Sequence, residues 1–446
     1  MKALPHQLAG AQFLAERRFA ILADAPRVGK TGAAIIAADY IMARSILVVT
    51  TASGRAVWRK GFADWSAIHT DAKICTPSLL PKSANVVIVG WPSVAEPALS
   101  VALAEREWDV VILDEGHYAK SFEAKRTCAV FGAAYGRNLS TRASVARNAK
   151  RVWVLTGTPM PNSPFDLFPM LRFGDANRLA EDPTRGWPDV MSADAFMKRY
   201  CTTRPKKISR WRSITVITGG QNLDELRARI DGLMLRRTQQ DVGITAPIYE
   251  TFPLMVPEKA RREADSLSDK AIIAAIDAGD TRKLEMHLGP LRRLTGAIKA
   301  KAVVEAVKEE FDCGLDKIVL AFWHREVAEI LMAGLESYGV VGIDGATPPT
   351  AREANVAAFS RPDGPRVFLA QIQAAGEAID LSAAAELMFV EMSFIPKDGA
   401  QMALRVTNHT QTRQPRVRVA SIAGSIDDAI QAALLRKVQT IQEVLK

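Results

Sequence analysis

The sequence predicts an α/β protein built as two parallel-sheet lobes. Three observations carry that expectation. Short β-branched apolar runs recur in both halves of the 446-residue chain and alternate with helical stretches, the pattern of parallel sheets with helices on their faces. A middle stretch, residues 175–220, breaks the pattern with Pro183, Pro188, Pro205 and many basic residues. The length also exceeds what one hydrophobic core ordinarily serves.

Taken in order, residues 7–18 read as a helix. Gln7 at its start carries an amide that both donates and accepts, as the edge of adenine requires; a solvated helix-start glutamine is the plainer reading. Residues 19–22 form a strand. Ala23-Asp24-Ala25-Pro26-Arg27-Val28-Gly29-Lys30-Thr31 follows, then a helix over 32–44. A strand, a turn ending in Gly-Lys-Thr and a helix make a phosphate cradle, because backbone N–H groups at the helix start face the anion and the lysine adds charge. Lys30 is placed for the β- and γ-phosphates and the Thr31 hydroxyl for Mg²⁺. The strict pattern has a glycine where Asp24 stands.

Residues 45–51 (SILVVTT) read as a buried parallel strand. Thr50, Thr51 and Ser53 follow it, then Trp58-Arg59-Lys60. These suit either a nucleic-acid backbone or a helix cap with a solvated face. Residues 85–90 and 108–113 are the next strands. The second ends in Asp114-Glu115-Gly116-His117. Two carboxylates at a strand tip fit a magnesium ligand, Asp114, and a residue that polarises water, Glu115. His117 either couples this tip to its neighbours or is a turn histidine. Residues 151–155 form a strand ending in Thr156-Gly157-Thr158-Pro159-Met160-Pro161-Asn162, whose prolines stop any helix.

The middle carries a basic run, Lys198, Arg199, Arg204, Lys206, Lys207, Arg210 and Arg212. Loops and short helices are expected there, forming a DNA-facing insertion or a solvated face. Pro247, Pro253 and Pro257 with a polar helix mark 246–290 as a connection. Strands are expected at 318–322, 340–343, 367–370, 387–391 and 417–422. A closing helix has Ser425 as its cap, Asp427 and Asp428 in its first turn, and apolar positions 426, 430, 434, 441 and 445.

Hydrophobic content of 48% and charged content of 24% are ordinary for a soluble protein. No apolar run approaches a membrane span. Met1-Lys2-Ala3-Leu4-Pro5 lacks the apolar core of a signal peptide, so a cytoplasmic location is expected, that of the host for a phage-encoded chain. Cys75, Cys128, Cys201 and Cys313 are too scattered for a zinc site or a disulfide framework. The formal charge of +9 and a pI near 9.4 favour a polyanionic partner.

The motifs resemble those of superfamily 2 helicases, specifically the SNF2-like branch. Asp114-Glu115-Gly116-His117 looks like motif II; Leu155-Thr156-Gly157-Thr158-Pro159 with Asn162 looks like motif III. Residues 24–31 resemble motif I, and Gln7 sits where the branch has its adenine-reading glutamine. Thr50-Thr51-Ala52-Ser53 through Trp58 resembles motif Ia. Residues 234–242 (MLRRTQQDV) are similar to the branch's Leu-Arg-Arg-Thr-x-x-Asp-Val segment. Residues 320–325 resemble motif IV, and Ile343-Asp344-Gly345-Ala346-Thr347-Pro348 with Arg352 and Phe359 the segment after it. Residues 373–382 resemble motif V, with Ala378 for its second glycine and Ser382 for a threonine. Gln401 and Arg405 resemble motif VI. The second half looks closest to compact bacterial and phage SNF2-like proteins and to the annealing-helicase branch.

This resemblance implies two RecA-like lobes, 1–174 and 291–446, with an SNF2-type insertion at 175–245 and a linker at 246–290. It implies ATP and Mg²⁺ as cofactors. Double-stranded or branched DNA is the implied partner of a monomer, without a membrane and with protein partners for targeting. The catalytic set is Lys30, Asp114, Glu115, Gln401 and Arg405. Nucleotide contacts fall on Gln7, Arg27, Gly29, Lys30, Thr31, Gly376 and Asp380, and the metal on Thr31 and Asp114. Nucleic-acid contacts fall on Thr51, Ser53, Lys206, Lys207, Arg236 and Arg237. Two positions depart from the family pattern. Asn408 replaces the second motif VI arginine, leaving Arg413 as a substitute, Arg405 alone, or slow hydrolysis. Arg27 replaces a glycine, adding a phosphate contact or hindering the backbone's approach. The expected activity is DNA-dependent ATP hydrolysis with translocation, fork remodelling or strand annealing rather than processive unwinding. An ATP-gated DNA clamp with little turnover and an RNA helicase are the alternatives.

Overall fold

A computed structural model describes the chain apart from residues 1, 53, 77–80, 82, 122, 133–143, 161–162, 182–191, 210–211, 267–280, 376–378, 394–395, 426, 429, 433 and 436–446. The chain divides into two compact units, Met1–Thr238 and Gln239–Lys446.

In the first unit the apolar runs become β1 (Phe19–Leu22), β2 (Ile46–Thr50), β3 (Ala72–Ile74), β4 (Val86–Gly90), β5 (Trp108–Asp114) and β6 (Ala149–Leu155). Three helices bear on the site: α1 (Pro5–Ala15), α2 (Lys30–Tyr40) and α3 (Gly54–Trp65). A hairpin follows, β7 (Cys201–Ser209) and β8 (Arg212–Gly220), and then a two-residue strand, β9 (Met234–Leu235). The main sheet has the order β3-β4-β2-β5-β6-β1-β9, and its pairings are parallel. Successive residues of one strand feed opposite cores. Leu47 and Val49 of β2 join one apolar cluster with Val111 and Leu113 of β5. Ile46 and Val48 join the other with Val110 and Ile112. Both faces are covered, which is why these strands read as unbroken apolar runs.

The insertion differs from expectation. Its core is an antiparallel two-stranded hairpin, with Cys201 opposite Gly220 and Lys206 opposite Ile214, flanked by the helices Ala193–Tyr200 and Leu223–Ile230. Thr202, Thr203, Ile208, Ile214, Thr215, Val216 and Ile217 supply the β-branched content. Basic residues and Pro205 are interleaved with them and hide the strand signal.

In the second unit the strands are β10 (Ile248–Leu254), β11 (Ile318–Phe322), β12 (Val340–Ile343), β13 (Val367–Gln371), β14 (Glu386–Phe389) and β15 (Arg416–Ile422). Their order is β10-β15-β14-β11-β13-β12, and the pairings are parallel. β10 lies in the stretch expected to be linker, yet pairs with β15 over its whole length. It is an edge strand, where Pro253 and the charged Glu250 are tolerated. The long helix Thr281–Asp312 also begins inside that stretch. Lys299 of this helix is buried against Asp427, with Nζ 3.2 Å from the carboxylate. Ser425 caps the closing helix as expected, its hydroxyl accepting from the Asp427 N–H at 3.2 Å. Ile430 and Leu434 are buried; positions 426, 441 and 445 lie outside the described residues.

Candidate nucleotide site

Sheet order builds the site. In a parallel α/β sheet ligands meet the carboxyl ends of the strands. The adjacent strands β2, β5, β6 and β1 bring together Thr50, Asp114, Thr156 and the loop that opens at Ala23.

The loop turns on two residues in left-handed backbone, Arg27 (φ 73°) and Gly29 (φ 97°). For glycine this conformation is free; for arginine it costs roughly 1–2 kcal/mol. Gly29 serves a second need. A Cβ there would lie 2.4 Å from Nε2 of Gln7, so the glutamine amide packs directly on the loop. Gln7 is buried and its Oε1 accepts from the Leu4 N–H at 2.9 Å. The Lys30 ammonium donates to the carbonyls of Asp24 at 2.7 Å and Ala25 at 3.2 Å, which places its charge within the turn. No side chain caps α2, so its first N–H groups face the loop as an anion site requires.

Asp24, where the strict motif has glycine, is nearly sealed from solvent at 1% exposure. Arg237 answers it with a two-point fork, Nε to Oδ1 at 3.0 Å and Nη2 to Oδ2 at 2.5 Å. A buried carboxylate left alone here would cost several kcal/mol, and the bidentate guanidinium removes that cost.

At the tip of β5, Asp114 is clamped through one oxygen. Thr50 Oγ1 donates to Oδ2 at 2.6 Å and Trp58 Nε1 donates to it at 2.8 Å. Trp91 Nε1 fixes the Asp114 carbonyl at 2.8 Å. Burial and the adjacent Glu115 charge push the Asp114 carboxyl up to about 6, against the pull of Thr50, Trp58 and Lys30. Glu115 is itself left-handed, at φ 49°. Left-handed non-glycine backbone at Arg27 in the loop and at Glu115 at the β5 tip is the kind of distortion that collects at functional sites. The Glu115 carboxylate lies 3.2 Å from His117 Nδ1. His117 is buried and also touches the hydroxyls of Thr156 at 3.3 Å and Thr158 at 3.5 Å. Of the two readings for His117, the structure supports coupling of the β5 and β6 tips. Gly116 makes this possible, because a Cβ there would meet Val154 Cγ1 at 2.2 Å.

The donor set suits a magnesium nucleotide. Among the described residues no cluster of three or more His, Cys, Asp or Glu side chains stands ready for a metal alone. Magnesium is commonly held by one or two carboxylates together with substrate phosphates, and a carboxylate, Asp114, and a hydroxyl, Thr31, are donors of the kind such a site uses.

In the second unit, motifs V and VI are joined by the Leu381 N–H donating to the Arg405 carbonyl at 3.0 Å. Gln401 lies in the last turn of the helix Pro396–Ala403, four residues before the buried Arg405. Asn408 donates through Nδ2 to Asp380 at 2.8 Å. Arg413, a possible substitute for the missing arginine, is committed elsewhere: it donates to Asp316 at 3.1 Å and to the Ala383 carbonyl at 2.6 Å. Gly376 lies outside the described residues.

The expected nucleic-acid contacts fare unevenly. Thr51 is buried, and its hydroxyl accepts from the Gly54 N–H at 3.1 Å, capping α3. Arg237 faces Asp24 rather than a nucleic-acid surface. Burial lowers the Arg236 pKa. Lys206 and Lys207 lie on β7, their side chains outside the described part, as are Ser53 and Arg210. Sequence reading missed the Thr50–Trp58 clamp and the Asp24–Arg237 pair. The only signal for the first was a tryptophan eight residues beyond a strand-tip threonine. The second spans 213 residues of chain.

Among the described residues no helix is long and apolar enough to cross a membrane. The SNF2-related domain matches residues 6–264. The DNA annealing helicase and endonuclease ZRANB3 of Bos taurus is 26% identical over 471 residues, covering 100% of this chain and 40% of that protein. The SWI/SNF-related matrix-associated actin-dependent regulator of chromatin subfamily A-like protein 1 of Bos taurus is 27% identical over 457 residues, covering 99% of this chain and 44% of that protein. The chain thus spans about two-fifths of the length of these relatives. A solved structure, the Sulfolobus solfataricus SWI2/SNF2 ATPase core in complex with dsDNA, is similar at 18% identity and a TM-score of 0.44, covering 100% of this chain and 93% of that one. With motifs I, Ia, II and III folded onto adjacent strand tips and the domain match spanning more than half of its length, the chain belongs to the SNF2-related domain family.

Proposed function

We propose that this chain is a DNA-dependent ATPase that translocates on or remodels double-stranded or branched DNA, with fork remodelling or strand annealing ahead of processive unwinding. The observation that carries the reading is the β5 tip: a clamped Asp114, and a Glu115 held by His117 beside the Lys30 loop. Mg²⁺, held by Thr31 and Asp114, would neutralise charge on the phosphates. Gln7 receives the adenine edge, and Lys30 leaves its loop carbonyls for the phosphate oxygens. Glu115 orients the attacking water and draws off its proton, while His117 fixes the carboxylate. Gln401, Arg405 and Asp380 of the second unit would serve the same reaction. The names of the relatives, one of them a DNA annealing helicase, and the net charge of +9 support DNA as the partner.

The test is phosphate release with duplex DNA, forked DNA and RNA. Duplex or forked DNA should stimulate turnover, and Lys30→Ala should lower it by about 10²-fold or more. Wild-type turnover equal to that of Lys30→Ala removes the motor, and stronger stimulation by RNA removes DNA as the substrate. One set of contacts favours a second reading, an ATP-gated clamp with little turnover: Asn408 is spent on Asp380 and Arg413 on Asp316. DNA binding that tightens with ATP in the absence of turnover would establish it.

A further inference from the structure

β9 does more than close the sheet edge. It pairs with β1 at Ile21 and Leu22, and the ladder continues beyond the strand. The Ala23 N–H donates to the Leu235 carbonyl at 2.7 Å and the Ala25 N–H to the Arg237 carbonyl at 2.8 Å. The segment leaving the first unit therefore runs alongside the phosphate loop and is bonded to it.

At the end of that ladder the Arg237 side chain reaches three places. It forks onto Asp24, and Nη1 donates to the backbone carbonyl of His6. It also lies against α1 so closely that a Cβ on Gly10 would stand 2.8 Å from Nη2. His6 in turn reaches the loop, with Nε2 2.9 Å from the Val28 carbonyl. Gln7, the next residue, packs its amide on Gly29. One guanidinium thus ties the base of the loop, the start of α1 and the strand between the motifs into a single frame, and Gln7 is mounted on that frame.

We propose that Arg237 is a positioning residue for base selection: by tying the His6 carbonyl to Asp24 it fixes the height of Gln7 above the phosphate loop, so that the site takes an adenine nucleotide in preference to a guanine one. The inference rests on the nucleotide reading of this site. Lysine cannot reproduce the role, because a point charge satisfies Asp24 without presenting a planar fork to both carboxylate oxygens and a third acceptor.

The experiment measures Kd for ATP and GTP on the full chain by competition with a fluorescent ADP. It compares wild type, Arg237→Lys, the charge-neutral double variant Asp24→Asn/Arg237→Gln, and Gln7→Ala. Both Arg237 variants should lose about tenfold in the ATP-over-GTP ratio, the worth of roughly one net hydrogen bond, with GTP affinity nearly unchanged. Gln7→Ala should lose the same ratio, and adding Arg237→Lys to it should lose no more. A ratio that stays at the wild-type value in both Arg237 variants overturns the proposal, as does an equal loss of ATP and GTP. A wild-type chain that binds neither nucleotide fails at the earlier reading instead, and a ratio insensitive to Gln7→Ala removes the glutamine's role.

Discussion

The phosphate loop of the first unit and the motif V–VI turn of the second both depart from the family pattern, and the structure absorbs the departures differently. In the loop, Arg27 is accommodated by left-handed backbone, and Gly29, Lys30 and Gln7 still converge. The groups of the candidate nucleotide site stay together. In the turn, Asn408 is drawn into a local bond with Asp380, and Gln411 spends its amide on the carbonyls of Ser382 at 2.9 Å and Ala384 at 3.0 Å. This turn is satisfied by its own contacts and spends polar groups on shape. The first departure keeps the loop's charges together; the second puts an amide where the family pattern has a guanidinium and turns it to a local bond.

Three substitutions would break or sharpen that contrast. The largest effect belongs to Glu115→Gln. It keeps size and hydrogen bonding but removes the base, and turnover should fall by about 10²–10⁴-fold with ATP affinity retained. A fall in ATP affinity alone would mean that the β5 tip binds without activating water. Asn408→Arg comes next. If the second unit is the limiting half, this change should raise DNA-stimulated turnover by about tenfold. That is a small part of the ~10³–10⁵ a finger can supply, since Asp380 stands ready to capture the new guanidinium. Unchanged turnover would place the limit in the first unit, with Arg27 the residue to examine. The smallest effect is that of Trp58→Phe, which deletes one donor to Asp114. The Mg²⁺ concentration for half-maximal activity should rise by about fivefold, the cost of one hydrogen bond. An unaltered metal requirement would mean that Thr50 alone holds the carboxylate.

Most strands of the two sheets were legible because they spell apolar runs buried on two faces, as Val86–Gly90 and Ile318–Phe322 do. β3 was not, being three residues long with Lys73 exposed at its centre. β9 was not, being two residues long and half-buried. β10 was not, because an edge strand with Glu250 and Pro253 looks like a linker. The hairpin β7–β8 escaped for a related reason: basic residues and Pro205 are interleaved in sequence with its β-branched ones, a composition that ordinarily marks loops. At the site, motif spacing located Lys30, Asp114 and Glu115, whose neighbours in sequence share their chemistry. It could not locate Arg237 or Trp58, whose roles exist only after strands far apart in the chain become neighbours in the sheet.

The clamped carboxylate at the tip of β5 has a thermodynamic consequence as well. Folding raises the Asp114 pKa from 3.8 to about 6, so between those values the folded chain binds more protons than the unfolded one. Stability from this group is fully present below pH 3.8 and is lost as pH rises through about 6, a difference of roughly 3 kcal/mol. At neutral pH the first unit therefore keeps an ionised acid that its surroundings disfavour. Asp114→Asn should raise the melting temperature at pH 8 more than at pH 4.5, and an equal gain at both would show that the carboxylate carries no such cost. In the other direction, a metal that takes up the ionised carboxylate must displace a proton below pH 6, so its heat of binding there should depend on the ionisation enthalpy of the buffer. On the proposed reading of the site, the β5 tip is a place where the protein gives up stability to remain ready for a cation.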